Sequence, residues 1–287
     1  MSRTRRLAAT LSLVLVAPLA SAAHAQSAPQ TSPVAEAPTP RLPADAATRA
    51  AYERTDALSR SIFWGQENTI NPMDPVAGVK MAQALREMGQ YDRAAETAES
   101  VLTVQPQNTE AMLEIGRAHI ARGQAFYGIS ALERARDASR RDWRPLSLLG
   151  VAYQQVRRFD DANTAWHAAL SLSPEQPEVL TNMAMARMGS GDMAEAEILL
   201  RRAAAQPNAS LQVRQNLALA LGLQGKISEA ETILRRDLPP ELVDQNLAWL
   251  AQRTQGGQGA AQNTPTPAPA PASAPPSTAR SWDSLNR

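Results

Sequence analysis

The chain of 287 residues contains no cysteine. That single absence excludes disulfides, a thiol nucleophile, thiolate metal sites and the cysteine-linked lipid of a lipoprotein. Histidine is nearly absent too, and beyond residue 25 only His119 and His167 remain. Neither has a metal-ligating neighbour at helical spacing, and His119 reads as a packing residue. No H-E-x-x-H, G-x-S-x-G or dinucleotide fingerprint occurs, and Gly225-Lys226 fails as a phosphate loop because Ala220 and Ile227 stand where that motif needs Gly and Ser or Thr. The carboxylates are scattered over helix positions that read as exposed. No catalytic residue, metal or cofactor is therefore expected. No apolar run reaches the length of a membrane-spanning helix. Net charge is +1, without the basic excess of a nucleic-acid binder.

What the chain does have is a period. From Trp143 to Pro174 it reads as two amphipathic helices: Leu146, Leu149 and Tyr153 recur three and four apart, a turn follows at 157–159, and Ala162, Trp166 and Ala169 lead to Ser173-Pro174. Starts at Pro75, Thr109, Trp143, Pro177 and Leu211 repeat the unit five times at a 34-residue spacing without insertion. The eighth position holds Ala82, Gly116, Gly150, Ala184 and Ala218, and the twentieth Ala94, Gly128, Ala162, Ala196 and Ala230. Small residues at both let paired helices approach closely. The seventh position is apolar in every unit, and the loop position is Gly89, Gly123, Gly191 and Gly225, with Arg157 as the exception. This is the tetratricopeptide pattern. It predicts an all-α, right-handed α-solenoid of about five helix hairpins over residues 75–253, with the first helix of each pair lining a concave face.

Flanking segments read differently. Arg3, Arg5 and Arg6 precede the apolar run Leu7–Leu19, and Ala23-His24-Ala25 before Gln26 has the shape of a signal-peptidase site. Residues 1–25 are thus expected to be a signal peptide, which places the mature chain in the periplasm. Its removal leaves 26 basic against 28 acidic side chains. Residues 26–44 form a Pro/Ala-rich linker, and 45–74 a capping helix and loop interrupted at Phe63-Trp64-Gly65 and Asn71-Pro72. A terminal cap is expected over 241–253, and 254–287 has the composition of a disordered tail. Trp282 and Leu285 stand out there as a candidate docking motif for a partner.

Two further features bear on partners. Arg134, Arg136, Arg140, Arg141 and Arg144 are interleaved with Glu133, Asp137 and Asp142, so they read as a solvated face at a helix end. Asn182 and Asn216 share the sixth position of the groove-lining helix, and the cap repeats the phrase at Gln245-Asn246-Leu247-Ala248. Amides carry a donor and an acceptor each, so stacked asparagines can hold the backbone of an extended peptide whatever its side chains. Asn182, Asn216 and Asn246, flanked by Gln215 and Met185, are the candidate peptide-binding residues. The other reading is that the position is merely exposed and tolerates any polar residue.

The phrase Arg214 to Gly225, followed by Glu229-Ala230-Glu231 and Arg235-Arg236-Asp237-Leu238-Pro239-Pro240, resembles the C-terminal repeat of the TadD proteins of Flp/Tad (tight adherence) pilus assembly. Resemblance to that family implies a non-enzymatic accessory role in building the pilus apparatus, with the outer-membrane secretin or another Tad component as partner. Several family members are lipoproteins, and this chain lacks the cysteine that such an anchor needs. Its association with the outer membrane would then run through partners. A general periplasmic adaptor for envelope or cell-wall machinery is the alternative.

Overall fold

A computed structural model describes residues 41–259, with side chains through Arg253. The expected signal peptide, the linker up to residue 40, and the tail from residue 260 with Trp282 and Leu285 lie outside the described residues. Within them the chain is all helix: α1 (Ala46–Tyr52), α2 (Ala57–Ile70), α3 (Pro75–Glu87), α4 (Tyr91–Val104), α5 (Thr109–Ala121), α6 (Phe126–Ala138), α7 (Arg144–Gln155), α8 (Phe159–Leu172), α9 (Pro177–Gly189), α10 (Met193–Ala204), α11 (Leu211–Leu223), α12 (Ile227–Asp237) and α13 (Pro240–Gly259). Among the described residues no helix is long and apolar enough to cross a membrane.

Helices α3 to α12 form five hairpins, and the second helix of each packs on the first helix of the next. Successive first helices also touch one another, which aligns them on one face of the array. Local chemistry sets the starts. Asp74 accepts hydrogen bonds from the Val76 and Ala77 amides with Pro75 in the first turn, while Asn108, Asp192 and Ser210 cap α5, α10 and α11.

The apolar interior runs as a continuous spine from Ala82 to Leu250. Its narrowest points are the hairpin seams, where α7 and α8 lie so close that a Cβ at Gly150 would overlap the Trp166 indole. Buried Trp166 uses that proximity: its Nε1 donates to the Ser147 carbonyl at 3.1 Å. Gly116 holds the same relation to Leu132 one hairpin earlier.

The ends differ from the sequence expectation. Phe63-Trp64-Gly65 does not interrupt the N-terminal cap but lies inside α2, because Phe63 and Trp64 bury against Ala77 and Met81. The break falls earlier, before Asp56, whose carboxylate caps α2 by accepting from the Ser59 amide at 3.0 Å. The cap is therefore two helices. Arg49 ties them to the array through Glu67 at 2.6 Å and Asp74 at 2.8 Å, with its guanidinium over the Trp64 ring. At the other end α13 continues past Arg253 to Gly259.

Gly89, Gly123, Gly191 and Gly225 end their first helices at φ of 75° to 86°, and Arg157 takes the same conformation at φ 64°. A left-handed conformation costs a non-glycine residue roughly 1–2 kcal/mol. Against the extra unfolded-state freedom of glycine, Arg157→Gly is expected to gain roughly 0.5–1 kcal/mol net, read as a higher thermal midpoint. Gly150→Leu is expected to act oppositely, since overpacking costs ~1–3 kcal/mol or more. A variant melting with the wild type would show that the seam around Trp166 has room it does not display.

Candidate partner-binding face

The face of the first helices carries two kinds of polar surface. Toward the N-terminus it is charged and internally paired. Glu114, buried, takes Arg86 at 2.8 Å and Arg117 at 2.5 Å, and Arg144 takes Asp142 at 2.7 Å and Glu110 at 2.6 Å. Asp142 first, and Glu110 after it, raise Arg144 above its ordinary range. A cleft of about 390 Å³ opens here between α3 and α5, bordered by Val76, Lys80, Glu110 and Arg144. Its cations are already engaged, with Lys80 held by Glu53 at 2.6 Å.

Between α9 and α11 the surface changes to amides and hydroxyls. A second cleft of about 400 Å³ is lined there by Glu178, Thr181, Asn182, Asn208 and Gln212, among others. Asn182 is partly spent within the array, since its Nδ2 donates to Ser147 Oγ of the preceding hairpin at 3.2 Å. Its carbonyl oxygen makes no hydrogen bond among the described residues. Glu178 is the one charged residue of this lining. Its side chain is exposed, and the protein atoms on the cleft side still push its carboxyl above the ordinary range. The fields of Arg117 and Arg144 pull it partly back. The arrangement can hydrogen-bond a peptide backbone and attract a cation. It contains no nucleophile poised beside a base, and no cluster of three histidine or carboxylate ligands occurs among the described residues.

Residues 79–142 and 147–210 match the sequence profile of the tetratricopeptide repeat. The fold is similar to that of a thermophilic tetratricopeptide-repeat protein of Thermus thermophilus, with 21% identity over 61% of this chain and 94% of that one, at a TM-score of 0.54. It is also similar to the APC/C hetero-tetramer Cut9–Hcn1, with 16% identity over 72% of this chain and 41% of that one, at a TM-score of 0.58. The array has the fold of a tetratricopeptide-repeat solenoid. In sequence it is similar to the cytochrome c-type biogenesis protein CycH of Bradyrhizobium diazoefficiens, 28% identical over 128 residues, or 43% of this chain. The match spans 35% of that relative's length.

Within the tetratricopeptide array, the expected asparagine ladder is not an open row. Asn182 reaches the cleft, but Asn216 and Asn246 are only 4% and 7% exposed. Asn216 accepts from Gln212 Nε2 at 3.1 Å, so that amide pair is folded into the wall. Asn216 lies on α11 and Asn246 on α13, two helices packed so closely that Leu250 occupies the space a Cβ at Gly222 would need. Gln215 and Met185 are half-buried and line neither cleft. The arginine run also divides: Arg136 pairs with Asp137, Arg134 donates to the Pro106 carbonyl, and Arg144 leaves the solvated face for the first-helix face. Arg144 opens α7 rather than closing a helix, so its carboxylate partners and not the helix dipole account for its position. His119 lies beside Tyr127 with its Nδ1 unpaired, and burial lowers its pKa. The phrase of the pilus resemblance is held structurally, with Arg214 on Asp237 at 2.5 Å and Gln224 on Glu197 at 2.9 Å. Glu178, Thr181, Asn208 and Gln212 were missed as site residues. The second position of each unit, Val76, Glu110, Arg144, Glu178 and Gln212, carried the signal.

The burial difference sets an order of stabilities. Asn182→Ala removes one hydrogen bond, worth roughly 0.5–1.5 kcal/mol. Asn216→Ala also hollows the interior and strands Gln212, for roughly 1–3 kcal/mol. Urea denaturation is expected to rank Asn216→Ala below Asn182→Ala, and the reverse order would contradict the placement of the two amides.

Proposed function

We propose that this protein is a non-enzymatic scaffold of the cell envelope that holds an extended segment of a partner protein in the cleft between α9 and α11. The observation that carries the reading is that cleft, roomy enough for several residues at about 400 Å³ and edged by Asn182, Asn208, Thr181 and Gln212. An extended segment presents unpaired amides and carbonyls along its length, and such a wall satisfies them without demanding particular side chains. Export with cleavage after Ala25 places the array in the periplasm. The Arg214–Pro240 phrase supports Flp/Tad pilus assembly as the process served, with the secretin or another Tad component as the partner. The similarity to CycH favours a second reading, an envelope adaptor for cytochrome c-type biogenesis or related machinery unrelated to pili.

Photo-crosslinking separates them. A benzophenone side chain introduced at Thr181 of the full chain, activated in intact cells, is expected to trap one envelope protein. Thr181→Trp, which fills the cleft without adding charge, is expected to abolish capture of that protein in pull-downs while leaving helicity unchanged. A trapped secretin or Tad component supports the pilus reading, and a cytochrome-maturation component supports the second. Capture that survives Thr181→Trp but is lost in Trp282→Ala/Leu285→Ala would move the binding role from the cleft to the tail.

A further inference from the structure

The cleft between α9 and α11 is edged by Glu178, an acid in the first turn of α9 that no cation touches. Every other carboxylate on this face that borders a cleft or bridges two helices has a cation in contact: Glu110 and Asp142 share Arg144, and Glu114 holds Arg86 and Arg117. Glu178 makes no ion pair and no hydrogen bond among the described residues, although it borders the cleft. The two arginines whose fields reach it are committed elsewhere, Arg117 to Glu114 and Arg144 to Asp142 and Glu110. Turning either toward Glu178 would strand the carboxylate it left, and for Glu114 that carboxylate is buried. Beside Glu178 stand only uncharged groups, notably Thr181, Asn182 and Gln212.

We infer that the cleft selects a partner segment that sets a lysine or arginine side chain against Glu178 while its backbone runs along Asn182 and Gln212. The inference rests on the cleft being the partner site and adds the chemistry of what enters it. A cation placed there meets a carboxylate with no contacting partner to displace, an attraction moderated by solvent. A carboxylate placed there meets like charge across a partly desolvated gap. The raised pKa of Glu178 agrees with this: the surrounding protein weighs against its charge more than the fields of Arg117 and Arg144 favour it. Specificity then has two layers. Amides accept any extended backbone, and one unpaired acid chooses among sequences by a single basic residue.

Random peptides displayed on phage and selected on the immobilised full chain test this directly. Wild-type protein is expected to enrich peptides with Lys or Arg at one fixed position. Glu178→Gln keeps shape and solvent contact, and is expected to bind the synthesised winning peptide roughly two- to fivefold more weakly. Glu178→Lys is expected to switch the enriched residue to Asp or Glu, an outcome that mere loss of structure cannot produce. Circular dichroism on all three proteins confirms equal helicity. Enrichment without a basic preference, or an affinity unchanged in Glu178→Gln, overturns the inference and leaves the cleft as the partner site. If no peptide is enriched, or if Thr181→Trp fails to displace the winners, both the inference and the cleft reading fall.

Discussion

Two helices can lie no closer than their facing side chains allow, and in this chain the allowance is set at a few small residues. Gly150 lets the Trp166 indole cross α7 against its backbone, and Gly116 does the same for Leu132. Interhelical distance at the seam fixes the angle at which each hairpin presents its outer surface to the next. Repeated at a 34-residue spacing, that angle puts α3, α5, α7, α9 and α11 side by side. The shared face of the first helices is thus a consequence of missing side-chain volume at the seams of the same helices.

Energetically the two sides of a first helix do different work. The seam and spine exclude water over side chains such as Leu149, Trp166, Leu180 and Leu200, each worth on the order of 1.5–3 kcal/mol when fully buried. On the open face the pair of Arg144 with Glu110 joins partners that remain substantially exposed and contributes at most ~1 kcal/mol, while Arg86 and Arg117 offset the desolvation of buried Glu114. Their effect is on arrangement. By consuming Arg86, Arg117 and Arg144 they make the N-terminal cleft electrically settled, and they leave Glu178 as the residue through which the face still expresses a sign.

The five hairpins were legible because their determinants are local and repeat: small residues at the eighth and twentieth positions, an apolar seventh, glycine at the turn. Trp64 shows the limit at the N-terminus. A Phe-Trp-Gly triplet reads as a helix break by propensity, yet burial against Ala77 and Met81 outweighs the cost of one glycine in α2. The asparagines show the limit at the site. Register put Asn182 and Asn216 on first helices and Asn246 on the cap helix α13, but register does not say which side chains are buried once the helices stack. Its register put Glu178 on the same face as Glu110 and Arg144, but that it is unpaired was not legible, because a lone acid in sequence has no mark of its partners. The pairing of Arg117 and Arg144 with other acids, some of them from neighbouring hairpins, is known only once the hairpins are stacked.

One link joins the interior to the open face. Trp166 donates to the Ser147 carbonyl, and Ser147 in turn receives Asn182 from the next hairpin at 3.2 Å. Ser147 is therefore a rivet: its backbone belongs to the seam of one repeat and its hydroxyl to the groove wall of the following one. A displacement of Asn182 is therefore passed, through one residue, to the seam where Trp166 crosses Gly150, whereas Gln212 hands its amide to Asn216 of its own helix.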